Sequence, residues 1–202
     1  MENRSLQFWY EFASTYSYVA SARIQRVAGA ANVELDWRAF LLGPIFAEQG
    51  WKDSPFNLYP AKGRYMWRDM ERLCEAEDLP LVRPSQFPRN GLLAARVALL
   101  AEAEGWVAEL TPTVFRANFA EDRDISVWET IAEILVDLGR DAEAIYEQAL
   151  APTNKDALKA RTEEAASLGI FGAPSFVVGK ELFWGNDRLE AALAWAGRAD
   201  VD

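Results

Sequence analysis

The strongest constraint in this sequence lies near its C-terminal end, in Gly172-Ala173-Pro174-Ser175-Phe176-Val177-Val178-Gly179-Lys180-Glu181-Leu182-Phe183-Trp184-Gly185-Asn186-Asp187-Arg188. Two short apolar runs flank Gly179-Lys180, which predicts a β-hairpin, and the polar residues after Trp184 predict the start of a helix. Pro174 opens the first strand, where a missing backbone N–H does no harm, and an X-Pro bond is the one peptide bond for which the cis form is cheap. A cis bond there would turn the Ala173 backbone outward, free to pair with an extended ligand as an added strand would. An ordinary hairpin with an edge proline meets the same pattern.

The other end of the chain narrows the choice. Leu6-Gln7-Phe8-Trp9-Tyr10-Glu11-Phe12 is apolar and aromatic-rich, so it reads as a buried strand. Ala13-Ser14-Thr15-Tyr16-Ser17-Tyr18-Val19-Ala20 follows, then a helical run from Ser21 to Ala31. A strand that delivers a small hydroxyl residue to a helix start has chemical meaning. The unpaired N–H groups there carry the positive end of the helix dipole and suit a thiolate or another anion. Ser14 and Ser17 have the spacing of a Cys-x-x-Cys pair, without its sulfurs. A serine cannot exchange disulfides, but its hydroxyl can donate to the thiolate of another molecule. Serving as a plain N-cap is the other reading of Ser14.

Several chemistries are excluded. The chain has no histidine, which removes a Ser-His-Asp hydrolase and the usual histidine-based zinc sites. Its one cysteine, Cys74, precludes an internal disulfide and sits in a helical pattern as a small core residue. A net charge of −10 argues against nucleic acid or an anionic membrane as partner. No run approaches the roughly 20 apolar residues needed to span a bilayer, and Met1-Glu2-Asn3-Arg4 starts no apolar signal core, so a cytoplasmic protein is expected.

Between the two ends the pattern is mostly helical. Val33 to Phe40 alternates as a second strand, making β-α-β. Ile45 to Tyr59 reads as a short helix and an irregular loop. Its Phe46, Trp51, Phe56 and Tyr59 would serve equally as a wall over an apolar substrate or as a tether for the crossover. Helices are expected over 61–77, over 91–105 with Asn90 as cap, from Pro112 to Phe119, over 127–138, over 141–150 and over 154–168. Pro80, Pro84 and Pro88 bracket a loop, and a final helix over 187–198 carries Leu189, Ala192, Leu193 and Ala196 on one side.

Four segments together, Glu11 to Tyr18, Pro60 to Met66, Phe171 to Pro174 and Trp184 to Leu189, resemble the 2-hydroxychromene-2-carboxylate isomerases. These are relatives of kappa-class glutathione transferases and, more distantly, of the disulfide oxidoreductase DsbA. The likeness runs over nearly the whole chain, with one departure: Thr15 stands where the family usually has proline after the serine. It implies an α/β fold in which residues 1–44 and 155–202 form a thioredoxin-like domain and residues 45–154 an all-helical insertion. It also implies glutathione as cofactor, a small aromatic carboxylate as substrate, and a homodimer. Ser14 would then face the glutathione sulfur, Ala173 and Pro174 would pair with its cysteinyl backbone, and Asn57 and Lys62 would contact it from the helical side. At its γ-glutamyl end, within Trp184-Gly185-Asn186-Asp187, Asp187 would take the ammonium and the backbone N–H groups of Asn186 and Asp187 the carboxylate. Asp187 is open to a plain N-cap role and Lys62 to that of a solvated surface residue. No metal is expected. The activity implied is a glutathione-dependent isomerisation in aromatic catabolism. A kappa-like transferase or peroxidase and a non-catalytic thiol- or peptide-binding module are the alternatives.

Overall fold

A computed structural model describes residues 4–198; Met1–Asn3, read above for a leader, lie outside the described residues. Strand β1 (Ser5–Tyr10) is followed by α1 (Thr15–Ala31) and β2 (Glu34–Ala39). Then come α2 (Leu42–Glu48), α3 (Pro55–Leu58), α4 (Pro60–Ala76), α5 (Leu92–Ala103), α6 (Val107–Phe119), α7 (Trp128–Asp137), α8 (Ala142–Leu150) and α9 (Pro152–Ser167). The chain closes with β3 (Ser175–Val178), β4 (Glu181–Trp184), a 3-10 turn at Asn186–Arg188 and α10 (Leu189–Ala196). The sheet order is β2-β1-β3-β4. β1 pairs with β2 in parallel and with β3 antiparallel, and β3 with β4 antiparallel.

The second half of β1, Phe8-Trp9-Tyr10, is aromatic and fully buried because both faces of the strand are covered there. Successive side chains of a strand point to opposite faces. Leu6, Phe8 and Tyr10 join a core with Val19, Ile24, Phe176 and Leu189, while Trp9 packs with Phe40, Ile45, Ala165, Ile170 and Val177 on the other side. The helical middle is tied to the end of this strand. The Tyr10 hydroxyl and Thr111 Oγ1 lie 2.7 Å apart, the Phe12 and Phe115 ring centroids 5.1 Å, and Asn118 Nδ2 donates to the Phe12 carbonyl at 3.0 Å.

Three elements depart from the sequence expectation. α1 begins at Thr15 rather than Ser21, since Ser14 caps it and Thr15 is anchored through its hydroxyl to Met66 Sδ of α4 at 3.3 Å. α6 begins at Val107 and holds Pro112 inside it. An internal proline costs about 3 kcal/mol, and burial of Val107, Leu110 and Thr111 offsets that. The last helix starts only after the 3-10 turn, because Asn186 is buried and held by Arg23 of α1. Phe46 packs beside Trp9 and Phe40, which makes it a tether, whereas Phe56 meets Tyr16 of α1 at 6.3 Å.

Buried Asn118 also accepts from Arg89 at 3.1 Å and so joins three segments. Asn118→Ala would leave the Phe12 carbonyl and part of Arg89 unpaired, at about 1–3 kcal/mol per buried group. The expected result in urea denaturation is an unfolding free energy lowered by about 2–4 kcal/mol, read as a lower midpoint at unchanged slope.

Candidate functional site

The site is built at the turn from β1 to α1. The Ser14 N–H donates to the Glu11 carbonyl at 2.9 Å, closing the turn. Ser14 then caps α1: its Oγ accepts from the Ser17 N–H at 3.2 Å, as the plain cap reading requires. The same hydroxyl also donates to the Ala173 carbonyl at 2.9 Å, from a residue far away in sequence. Ser17 is fully buried and its hydroxyl has no partner, so of the two serines only Ser14 faces the opposite loop.

That loop is held rigidly. The Ala173-Pro174 bond is cis. The Pro174 carbonyl accepts from the Gly185 N–H at 2.9 Å and the Gly172 carbonyl from Ser175 Oγ at 2.8 Å. Gly172 lies directly under the Trp184 indole, where a Cβ would collide with Nε1. Trp184 is half-exposed and packs on Phe171 with ring centroids 4.8 Å apart. Gly185 has φ of +108°, and a Cβ there would come 2.6 Å from Asp187 Oδ1, so only glycine lets the chain turn back beside Pro174.

The candidate residues therefore form two groups. Ser14, Ala173, Pro174, Trp184 and Gly185 are joined by the contacts above, and Asp187 follows Gly185 in the same turn. Asn186 belongs to the same turn, but its side chain points inward, where Arg23 Nε donates to Oδ1 at 3.1 Å and Nη2 to the carbonyl at 2.7 Å. Arg23 also pairs with Glu190. The side-chain oxygen and the carbonyl of Asn186 are thus taken up from within the fold. Asp187 is not a helix cap: its carboxylate is exposed, 3.5 Å from Arg188. Asn57 and Lys62 form a second wall on α3 and α4. Asn57 Nδ2 donates to Asp53 and, at 3.1 Å, to the Phe87 carbonyl. Lys62 lies 4.9 Å from the Tyr59 ring centroid and makes no ion pair among the described residues. This wall reaches α1 through Tyr16, whose ring lies tilted against Phe56 and whose hydroxyl donates to Asp69 at 3.0 Å.

Two contributors escaped the sequence reading of the site. Arg23 is one; nothing local marks an arginine that acts on a turn at the other end of the chain. Glu11 is the other. Its carboxyl is largely buried, takes the Ala13 N–H, and has no cation beside it, so burial pushes its pKa up to about 7. Burial likewise pushes the Cys74 thiol up to about 11, which makes it unreactive. Among the described residues no cluster of three potential metal ligands occurs, and no helix is long and apolar enough to cross a membrane.

Sheet order, helical middle and a hydroxyl residue facing a cis-proline define the class, a thioredoxin-fold α/β protein. Residues 5–194 match the model of the DSBA-like thioredoxin domain, and the chain belongs to that family. A 2-hydroxychromene-2-carboxylate isomerase of Sphingobium xenophagum is 27% identical over 192 residues, 93% of this chain and 95% of that protein. Human glutathione S-transferase kappa 1 is 26% identical over 201 residues, covering 93% and 88%. A solved structure of a 2-hydroxychromene-2-carboxylate isomerase superposes with a TM-score of 0.86 over 96% of this chain and 94% of that one, at 24% identity.

Glu11 makes stability depend on pH. Its folded pKa of about 7 lies above the ordinary 4.5, so its contribution is fully present below about pH 4.5 and is lost as pH rises through about 7. The loss is on the order of 3 kcal/mol. Thermal melts of Glu11→Gln across this range should show that decline removed; an unchanged decline would place the titrating group elsewhere.

Proposed function

We propose that this protein binds glutathione between Ser14 and the Ala173-Pro174 loop and uses its thiolate to isomerise an aromatic carboxylate. The observation that carries the reading is the position of the Ser14 hydroxyl, at the N-terminus of α1 and on the Ala173 carbonyl. That carbonyl is the backbone acceptor an added strand would use. When a ligand N–H takes the carbonyl, the hydroxyl is released to donate to the sulfur beside it. The hydroxyl and the helix N-terminus then lower the thiol pKa from its ordinary value near 8.5.

The remaining residues fit the two ends of a tripeptide. Asp187 is exposed, two residues after Gly185, whose N–H meets the Pro174 carbonyl, and would receive the γ-glutamyl ammonium, with the Asn186 and Asp187 N–H groups receiving its carboxylate. Arg23 holds that turn in place. Lys62 offers a cation to the glycine carboxylate or to the substrate, against a chain of net charge −10. Tyr16, Phe56 and Trp184 provide apolar surface for an aromatic ring. Held there by Ser14, Ala173 and Asp187, glutathione would supply a thiolate able to add reversibly to a conjugated 2-hydroxychromene-2-carboxylate, which would free the double bond to turn. Likeness to a kappa-class transferase supports a second reading, in which the same thiolate is conjugated to an electrophile.

Calorimetric titration with glutathione tests the binding. Asp187→Ala should weaken it only about 2–5-fold, as befits an exposed ion pair. Ser14→Ala should leave affinity for the thiol form nearly unchanged but raise the bound thiol pKa by about one to two units, the worth of one hydrogen bond to an anion. Absence of binding at millimolar glutathione would refute both enzymatic readings. With binding established, conversion of 2-hydroxychromene-2-carboxylate, followed by absorbance, separates the isomerase from the transferase.

A further inference from the structure

Ionisation of a thiol beside Ser14 needs a place for its proton, and the residues around the turn leave few places. The Ser14 hydroxyl already accepts from Ser17 and donates to Ala173. Tyr16 donates to Asp69, and burial together with that carboxylate pushes its phenol pKa up. Cys74 is buried in α4, and the chain has no histidine. Glu11 remains. Its carbonyl accepts the Ser14 N–H in a closed turn, which keeps the two Cα atoms within about 7 Å. Its side chain folds back onto the Ala13 N–H, one residue before Ser14. Room for the carboxyl comes from Gly91, where a Cβ would stand 2.9 Å from Glu11 Oε1 and 3.1 Å from Phe12 Cβ.

The surroundings of this carboxyl contain no compensating charge. Gly91 faces it from the start of α5, and nearby Arg89 is occupied with Asp122, Asn118 and the Arg123 carbonyl. From α6 comes Asn118, whose amide goes to the Phe12 carbonyl. On its own turn the neighbours are Ala13 and Ser14, both uncharged. Among the described residues Glu11 makes no ion pair. A carboxyl taken out of water with no cation beside it prefers to carry a proton, and here that outweighs the opposite pull of the Ala13 N–H at the helix start.

We propose that Glu11 takes up the proton released by a thiol bound beside Ser14 and returns it when that thiol leaves. The S–H bond breaks, an O–H bond forms on a Glu11 carboxylate oxygen, directly or through one water, and nothing is oxidised or reduced. A carboxylate and a thiolate at one helix N-terminus repel, so the pair holds one negative charge between them and titrates as a unit. The raised pKa of Glu11, about 7, agrees with such sharing near neutrality. This rests on the thiol-binding reading above.

The experiment counts protons. Glutathione is titrated calorimetrically into the protein in buffers of different ionisation heat, and thiolate is followed by ultraviolet absorbance. In the wild type about one proton should leave to solvent per thiolate formed near pH 6, where Glu11 is already protonated, falling below about one half near pH 8. Glu11→Gln should release about one at both pH values. Equal counts at both pH values in the wild type would overturn the proposal while leaving thiol binding standing, and this arm does not depend on the variant folding. Binding without any thiolate would overturn it as well. No binding at all would overturn both the proposal and the function it rests on.

Discussion

The hydrogen bond from Ser14 to the Ala173 carbonyl joins the first turn of the chain to the loop that leads into β3, and the rest of the fold sets the conditions for it. β1 and β3 pair antiparallel with Gln7 opposite Val177 and Trp9 opposite Ser175. Continued past the last pair, that register brings the Glu11 level against Ala173. The turn that follows β1 is therefore carried to the cis-proline loop by the sheet itself. Burial of β1 on both faces keeps the register from slipping, since a one-residue shift would exchange Trp9 for Phe8 or Tyr10 between two differently shaped cores.

Buried polar residues then fix the pieces that the sheet does not reach. Arg23 lies inside α1 and holds the Asn186 turn from behind, with Glu190 as its counter-charge. Arg89 and Asn118 tie the loop before α5 and the end of α6 to the Phe12 carbonyl. Such groups are costly to bury unless fully paired, and when paired they hold one geometry. Around Arg89, Asp122 and Asp124 supply the counter-charges, Asp124 Oδ1 lying 4.0 Å from Nε.

Much of the site could be read from the residues because its signals are local. A serine between a strand and a helix, a proline opening a hairpin strand, and Gly185 between Trp184 and Asn186 each impose a conformation on their own neighbours. The resemblance then placed them in one fold. What stayed hidden were roles that need a partner distant in sequence. At Asn186 the sequence points to the backbone N–H, and nothing local shows that Arg23 holds the side chain. Asp187 looked open to a cap role, yet its carboxylate stands in solvent. Glu11 read as the end of an apolar strand, and only the packing of Gly91 against it shows a largely desolvated acid with no cation beside it.

The amino-acid sequence by itself determined the strands at both ends, the helical middle, the hairpin and the hydroxyl residue at a helix start, because hydrophobic period and turn chemistry act within a few residues. Tertiary structure alone decided that α1 starts at Thr15, that Pro112 lies within a helix, and that Ser14 faces Ala173 rather than solvent. Those outcomes depend on contacts between segments far apart in the chain, where burial outweighs local propensity and no short window of sequence contains both partners.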